Sequence, residues 1–197
     1  MLGRIKQETQ AQQAASDEGR LAPLRTTPTP ANYASYLARV YGFVAPVEAA
    51  FATMTELTEL LDLHWRSQVR LLKSDLCALG IIDATTLPVH PVSAFSSVAE
   101  ALGWMYVVEH SAAVHGQLHR HFVRWLPEQI AAAGCYLLGG ERAVGARLAE
   151  LGAAMDKHAQ RAEIATTIVD TARAGFRRQR LWFGHMPPTA LLSRQRR

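Results

Sequence analysis

Four of the chain's eight histidines fall between Ala101 and Phe122: His110, His115, His119 and His121. Imidazole is the commonest metal ligand and the side chain that changes charge near neutral pH. His115 and His119 are one helical turn apart, the i,i+4 spacing with which two histidines clasp a metal. No carboxylate lies between them and no HExxH run is present, so a third ligand has to come from another helix. His110 and His121 stand about 16 Å apart along a helix axis and cannot share one ion. Asp62 with His64, Glu100, and Asp156 with His158 are the side chains a di-iron centre in a helix bundle would draw on, though their spacing forms no bundle signature. The alternative to any metal is a row of imidazoles hydrogen-bonded at the edge of a core.

Charge offers a second kind of chemistry. The formal charge is +4, and Arg173, Arg177, Arg178, Arg180, Arg194, Arg196 and Arg197 cluster towards the end of the chain. Such a cluster is either a solvated basic end or an attractor for an anionic, carboxylate-bearing ligand. The basic residues are not interleaved with aromatics over a nucleic-acid motif, so no nucleic acid is expected as a partner. Cys77 and Cys135 sit outside any CxxC pair, in apolar helical contexts. They are predicted to be buried free thiols in a reducing cytosol. The polar first twenty residues lack the apolar core of a secretory signal, and no apolar run is long enough to span a membrane, so a cytoplasmic location is expected.

The elements that must position these residues are helical. Hydrophobic content is 49% and charged content 19%, as in a globular chain. Apolar spacing is helical throughout and strand signals are nearly absent, which predicts an all-α fold. Helices are expected over about 3–17, 30–54, 57–79, 96–126, 128–136, 141–154 and 156–183. Thr29 and Pro30 form the start signal of the second, and Pro46 is expected to kink or split it. Gly80 ends the third, the segment Ile81 to Pro91 is a linker, and Ser93 or Ser96 opens the next helix. Gly139 and Gly140 are read as a break. On a helical wheel, Trp104, Val107, Ser111, Val114, Leu118, Phe122 and Trp125 form the core face. His115 and His119 lie on one edge of that face, His110 and His121 on the other, and Glu109 is predicted to be solvated. Residues 1–186 make one domain, followed by an irregular basic tail over 187–197.

The lead Ala101-Leu102-Gly103-Trp104-Met105-Tyr106-Val107-Val108-Glu109 resembles the distal helix of bacterial heme oxygenases, particularly the type that accompanies bacteriophytochromes. Other stretches agree in order and spacing. Tyr33, Tyr36 to Phe43 and Pro46-Val47-Glu48 are close to that family's second-helix signature. Arg70-Leu71-Leu72, Asp75-Leu76 and Ala78-Leu79-Gly80 match the next. Ala133 to Leu137 and Val144-Gly145 with Arg147 echo the region before the last helix, and Ala172, Phe176 and Trp182 the last helix itself. The resemblance covers the chain from about residue 4 to 183 and implies a heme oxygenase-like multi-helical single domain.

It also implies an activity: O2-dependent oxidative cleavage of heme to biliverdin, CO and iron. Heme would be the cofactor, and an electron donor or a bacteriophytochrome-linked protein the partner. The family's proximal ligand is a histidine four residues after a threonine; with Thr9 as that threonine, the matching residue is Gln13. The family's distal glycines match His110, Val114 and His115, with Ser111 after the first of them. An amide is a poor iron ligand beside imidazole, and a Cβ at a glycine position narrows the slot above a porphyrin. Three arrangements follow. His110 or His115 becomes the iron ligand; the cleft takes a different flat ligand or a partner; or side chains fill it. The second and third make the chain a non-catalytic or divergent binding or regulatory protein on the same scaffold. Arg173 and Arg177 match basic residues that meet the heme propionates in that family. The segment 101–125 is expected to be a straighter, closer-packed distal helix than the family's.

Overall fold

The structure, a computed structural model, describes residues 1–185. Its helices are, in chain order, α1 (Leu2–Glu8), α2 (Gln10–Arg20), α3 (Pro30–Ala52), α4 (Thr55–Leu60), α5 (Leu63–Arg66), α6 (Val69–Ala78), α7 (Val98–His110), α8 (His115–Trp125), α9 (Pro127–Ala133), α10 (Cys135–His158) and α11 (Ala162–His185). Three 3-10 turns at Ala22–Arg25, Ala84–Thr86 and Ser111–Val114 join them, and there is no strand among the described residues. The all-α class predicted from apolar spacing is the one found. The basic tail expected over 187–197 lies outside the described residues.

Helix α7 is the axle. Every residue from Ala101 to Glu109 is buried, and α11, α10, α3 and α4 all pack against it. A helix apolar on all sides has no outward face. Gly103 lets α11 come close: a Cβ there would stand 2.5 Å from the Ile168 carbonyl oxygen. Tyr33, Leu37, Phe43 and Val47 of α3 join Leu102, Val107 and Phe176 in one continuous core.

Local signals set most boundaries. Thr29 Oγ1 accepts from the Asn32 N–H at 3.2 Å, with Pro30 in the first turn, as predicted. Gly80 takes the left-handed conformation at φ 87° after α6. Helix α7 starts at Ser97, whose Oγ accepts from the Glu100 N–H at 3.2 Å, while the Glu100 carboxylate reaches back to Ser96 N at 2.7 Å. This is a reciprocal cap, one or more residues beyond the predicted start.

Where the structure departs from the predicted helices, a side chain is responsible. Residues 3–17 split at Thr9, whose Oγ1 donates to the Ile5 carbonyl at 2.6 Å. Residues 57–79 become three short helices. Asp62 caps α5 through the Trp65 N–H at 3.0 Å, and the Glu48 carboxylate caps α6 through the Gln68 N–H at 2.6 Å. Pro46 neither splits nor ends α3. Gly139 and Gly140 lie inside α10, which starts at Cys135 because the Asp75 carboxylate accepts from Cys135 N (3.1 Å) and Tyr136 N (2.8 Å). Both cysteines are exposed, correcting the buried-thiol prediction; Cys135 sits in the first turn of α10 and Cys77 on the outer side of α6. Among the described residues no helix is long and apolar enough to cross a membrane.

Candidate functional site

The histidine segment is not one straight helix. Its α-helical path stops at His110, tightens to a 3-10 turn over Ser111–Val114, and resumes at His115. Ser111 Oγ donates to the Val107 carbonyl at 2.9 Å at this point. The break re-aims every histidine after it, so the edges drawn on a straight wheel do not hold.

His115 is fully buried and faces α10. Its Nε2 lies 3.0 Å from the Tyr136 hydroxyl, and the two rings are 4.5 Å apart. Gly140 makes this possible, because a Cβ there would stand 2.1 Å from His115 Nδ1. Burial, with the positive charges of Arg20 and Arg147, holds the imidazole well below its ordinary pKa, so it is neutral in the folded protein. In this packing His115 has one nitrogen against a tyrosine and the other against a backbone, with no open direction for an iron. His119 lies beyond it, half-buried. His121 Nε2 contacts the Thr26 carbonyl at 3.2 Å. His110 is stacked edge-on against Phe176 and tilted over Tyr106, with Nε2 3.7 Å from Asp17 Oδ2. Among the described residues no group of three or more potential metal ligands exists. The scattered candidates have other work: Asp62 and Glu100 cap helices, and Asp156 pairs with the chain's amino terminus.

Gln13, which the resemblance matches to a proximal histidine, is buried on α2. Its Nε2 donates to Thr9 Oγ1 at 2.6 Å and to the Tyr106 hydroxyl at 2.9 Å, and the second bond crosses directly from α2 to α7. Two turns further along, Arg20 donates to the Ser111 carbonyl. Gln179 of α11 donates to Ser111 Oγ at 2.9 Å and accepts from Ser16 Oγ at 2.6 Å. Helix α2 is therefore stitched to α7, to the 3-10 turn and to α11 by buried hydrogen bonds. Val114 is buried in the apolar core. Arg20, only 1% exposed, also lies beside the Tyr36 and Tyr136 hydroxyls. A cavity of about 250 Å3 opens next to the seam, between Gly19, Ala22, Ser35, Tyr36 and Phe183.

A heme needs a flat slot with an imidazole on one side of the iron and clearance on the other. Residues Gln13, His110, Ser111, Val114 and His115 do not provide it. The Gln13 amide is already engaged twice, and α2, α7 and α11 are bonded to one another along this line. Arg173 is tied to Glu8 (2.9 Å) and Asp170 (2.9 Å), on the α1 side. Arg177 instead lines an open groove of about 710 Å3 with Arg25 and Arg180. The pair expected at the propionates is thus divided between two places.

The structure also holds a buried polar cluster around Glu109, which corrects the expectation that Glu109 is solvated. Glu109 is 1% exposed. Its Oε1 accepts from Arg66 Nη1 at 2.7 Å, and Arg147 Nη1 lies 3.7 Å from its Oε2. Arg66 also reaches Glu150 at 3.0 Å and the Arg147 carbonyl at 3.1 Å. The Trp65 ring lies under both guanidiniums, at 5.7 and 5.5 Å. Burial raises the Glu109 and Glu48 carboxyls, and the nearby Glu48 charge raises Glu109 further, against the lowering effect of Arg147 and Arg66. A signal was present: a glutamate that closes a stretch apolar on all sides, Ala101 to Val108, has nowhere to go but inward, and must then be paired. Neither a protein-family model nor a curated protein matches the chain.

Proposed function

We propose that this chain is a non-catalytic binding protein built on a heme oxygenase-like helical scaffold, and not a heme-degrading enzyme. The observation that carries the reading is Gln13. Where the resembling enzymes present an imidazole to iron, this residue joins Thr9 on its own side to Tyr106 on the far side of the cleft. Heme cleavage requires an axial ligand and an open face for O2, and the seam has neither. Arg20, Ser111, Ser16 and Gln179 continue the closure along the same line. The resemblance supports the scaffold, and fold alone does not carry the activity.

The test is turnover. The purified chain is mixed with hemin, a reductant and O2, and the visible spectrum is followed. The expected outcome is no biliverdin absorption above the rate of free hemin with the same reductant. Catalytic appearance of biliverdin, abolished by His110→Ala, would overturn the proposal and make His110 the iron ligand.

A further inference from the structure

Two volumes meet where the end of α2 lies against α11. One is the chamber of about 250 Å3 beside the seam, and the other is the open groove of about 710 Å3 that Arg177 lines. Gly19, Ala22 and Phe183 line both. The partition is therefore thin: a residue without a side chain, a methyl group and one ring. A Cβ on Gly19 would stand 3.0 Å from Phe183 Cβ, so glycine lets α2 approach α11 this closely. Ala22 is exposed, and the way from groove to chamber runs over its methyl.

The chamber is mainly apolar. Ala22, Pro23, Pro28, the Tyr36 ring and Phe183 form its walls. An apolar cavity of about 150 Å3 is enough to hold benzene, so this one has room for an aromatic ring. Among the described residues that line it, Arg39 alone is charged.

The groove is basic. Arg25 lines it from the 3-10 turn after α2, Arg177 and Arg180 line it from α11, and Glu18 is the one acid on its lining among the described residues. All three arginines are exposed, so their guanidiniums are open to a ligand. Arg173, on the same helix, is held by Glu8 and Asp170, whereas none of these three is ion-paired to a described residue. Three cations against one carboxylate leave two positive charges in excess, and Arg39 adds a third beyond the partition. Such a field attracts anions, and guanidinium forks bond a carboxylate in pairs. A basic surface by itself asks only for counterions. This one borders an apolar chamber across a single methyl group.

We propose that the two volumes together bind a small amphipathic anion, its carboxylate held by Arg25, Arg177 and Arg180 and its apolar body lodged between Pro23, Tyr36 and Phe183. The inference stands whether or not the seam admits heme.

The experiment is calorimetric titration of the full chain with 4-phenylbutyrate, against 4-phenylbutanamide as the neutral equivalent and acetate as the head group alone. Phenylbutyrate is expected to bind at least about tenfold more tightly than either. The double variant Arg177→Gln/Arg180→Gln should remove the preference over the amide. Ala22→Leu obstructs the passage from an exposed position and should weaken phenylbutyrate at least about tenfold. Both variants alter exposed residues, so the thermal transition is expected to stay in place. No saturable binding of phenylbutyrate by about 10 mM, equal binding of the amide or of acetate, or undiminished binding to either variant would each overturn the proposal.

Discussion

The seam between α2 and α7 and the cluster beneath Trp65 are both buried and polar, yet they are built in opposite ways. Across the seam, neutral amides and hydroxyls meet in pairs, Gln13 with Tyr106, Gln179 with Ser111, Ser16 with Gln179, and the buried Arg20 charge is bonded to the Ser111 carbonyl and to Asp17. Under Trp65, full charges meet, and Glu109 Oε2, Arg66 Nε and Arg147 Nε remain without hydrogen bonds among the described residues. Paired neutral groups close a gap and hold two helices in register at little electrostatic cost. Buried full charges with unmet hydrogen bonds hold the elements together at a high desolvation cost. The seam is the region where the sequence led us to expect a site, and the charged cluster lies where it led us to expect none.

The contrast is tested most strongly on the charged side. Arg66→Met removes the principal partner of Glu109 and should cost about 3–5 kcal/mol in urea unfolding. Replacing Arg66, Glu109 and Arg147 together by Met, Leu and Met should recover most of that loss, since apolar groups of similar volume replace a buried ion cluster with little penalty. A single variant as stable as the parent would mean that Glu109 is not held as described.

Next in size is Gly140→Ala. Alanine in a helix interior normally gains about 1 kcal/mol over glycine, but here its Cβ would meet His115 Nδ1. A net loss of about 1–3 kcal/mol is expected from overpacking, reduced in a His115→Ala background. A stabilised Gly140→Ala would show that His115 does not lie against α10.

On the neutral side the effects are smaller. Gln13→Ala should cost about 1–2 kcal/mol by leaving the Tyr106 hydroxyl unpartnered. A double-mutant cycle with Tyr106→Phe should show a coupling of about 1 kcal/mol. No coupling would break the link across the seam.

The effect read as a difference between two variants is the pH dependence. His115 has a folded pKa well below its ordinary value, so the unfolded chain takes up the proton first as pH falls through about 6.5. Its contribution is fully present above that pH and is lost below it, at up to about 1.4 kcal/mol per pH unit. The raised Glu48 and Glu109 carboxyls act in the opposite sense. The informative quantity is therefore the difference between parent and His115→Leu from pH 7 to pH 5, which should narrow steadily as pH falls.

Much of the scaffold was legible in the sequence because its signals are local. Thr29-Pro30 and Gly80 act within one turn of themselves, and helical spacing of apolar residues is enough for the class. The misreadings have a shared cause. Asp62, Glu48 and Asp75 end or start helices by capping, two of them from distant elements, and a periodic pattern does not register a cap that arrives through space. Gly139 and Gly140 look like a break until His115 is seen to need the space. Glu109 looked solvated because the wheel assumes one wet face, and α7 has none. At the candidate site, Gln13 could be recognised from its distance to Thr9, but its bond to Tyr106 joins positions far apart in the chain and could not be read from either.

The closed seam is tested most directly by adding hemin to the purified chain and recording the Soret region across a titration. A seam held by Gln13, Tyr106, Arg20 and Ser111 predicts the spectrum of free hemin at every ratio. A sharp, saturable, low-spin Soret band at one equivalent would contradict it.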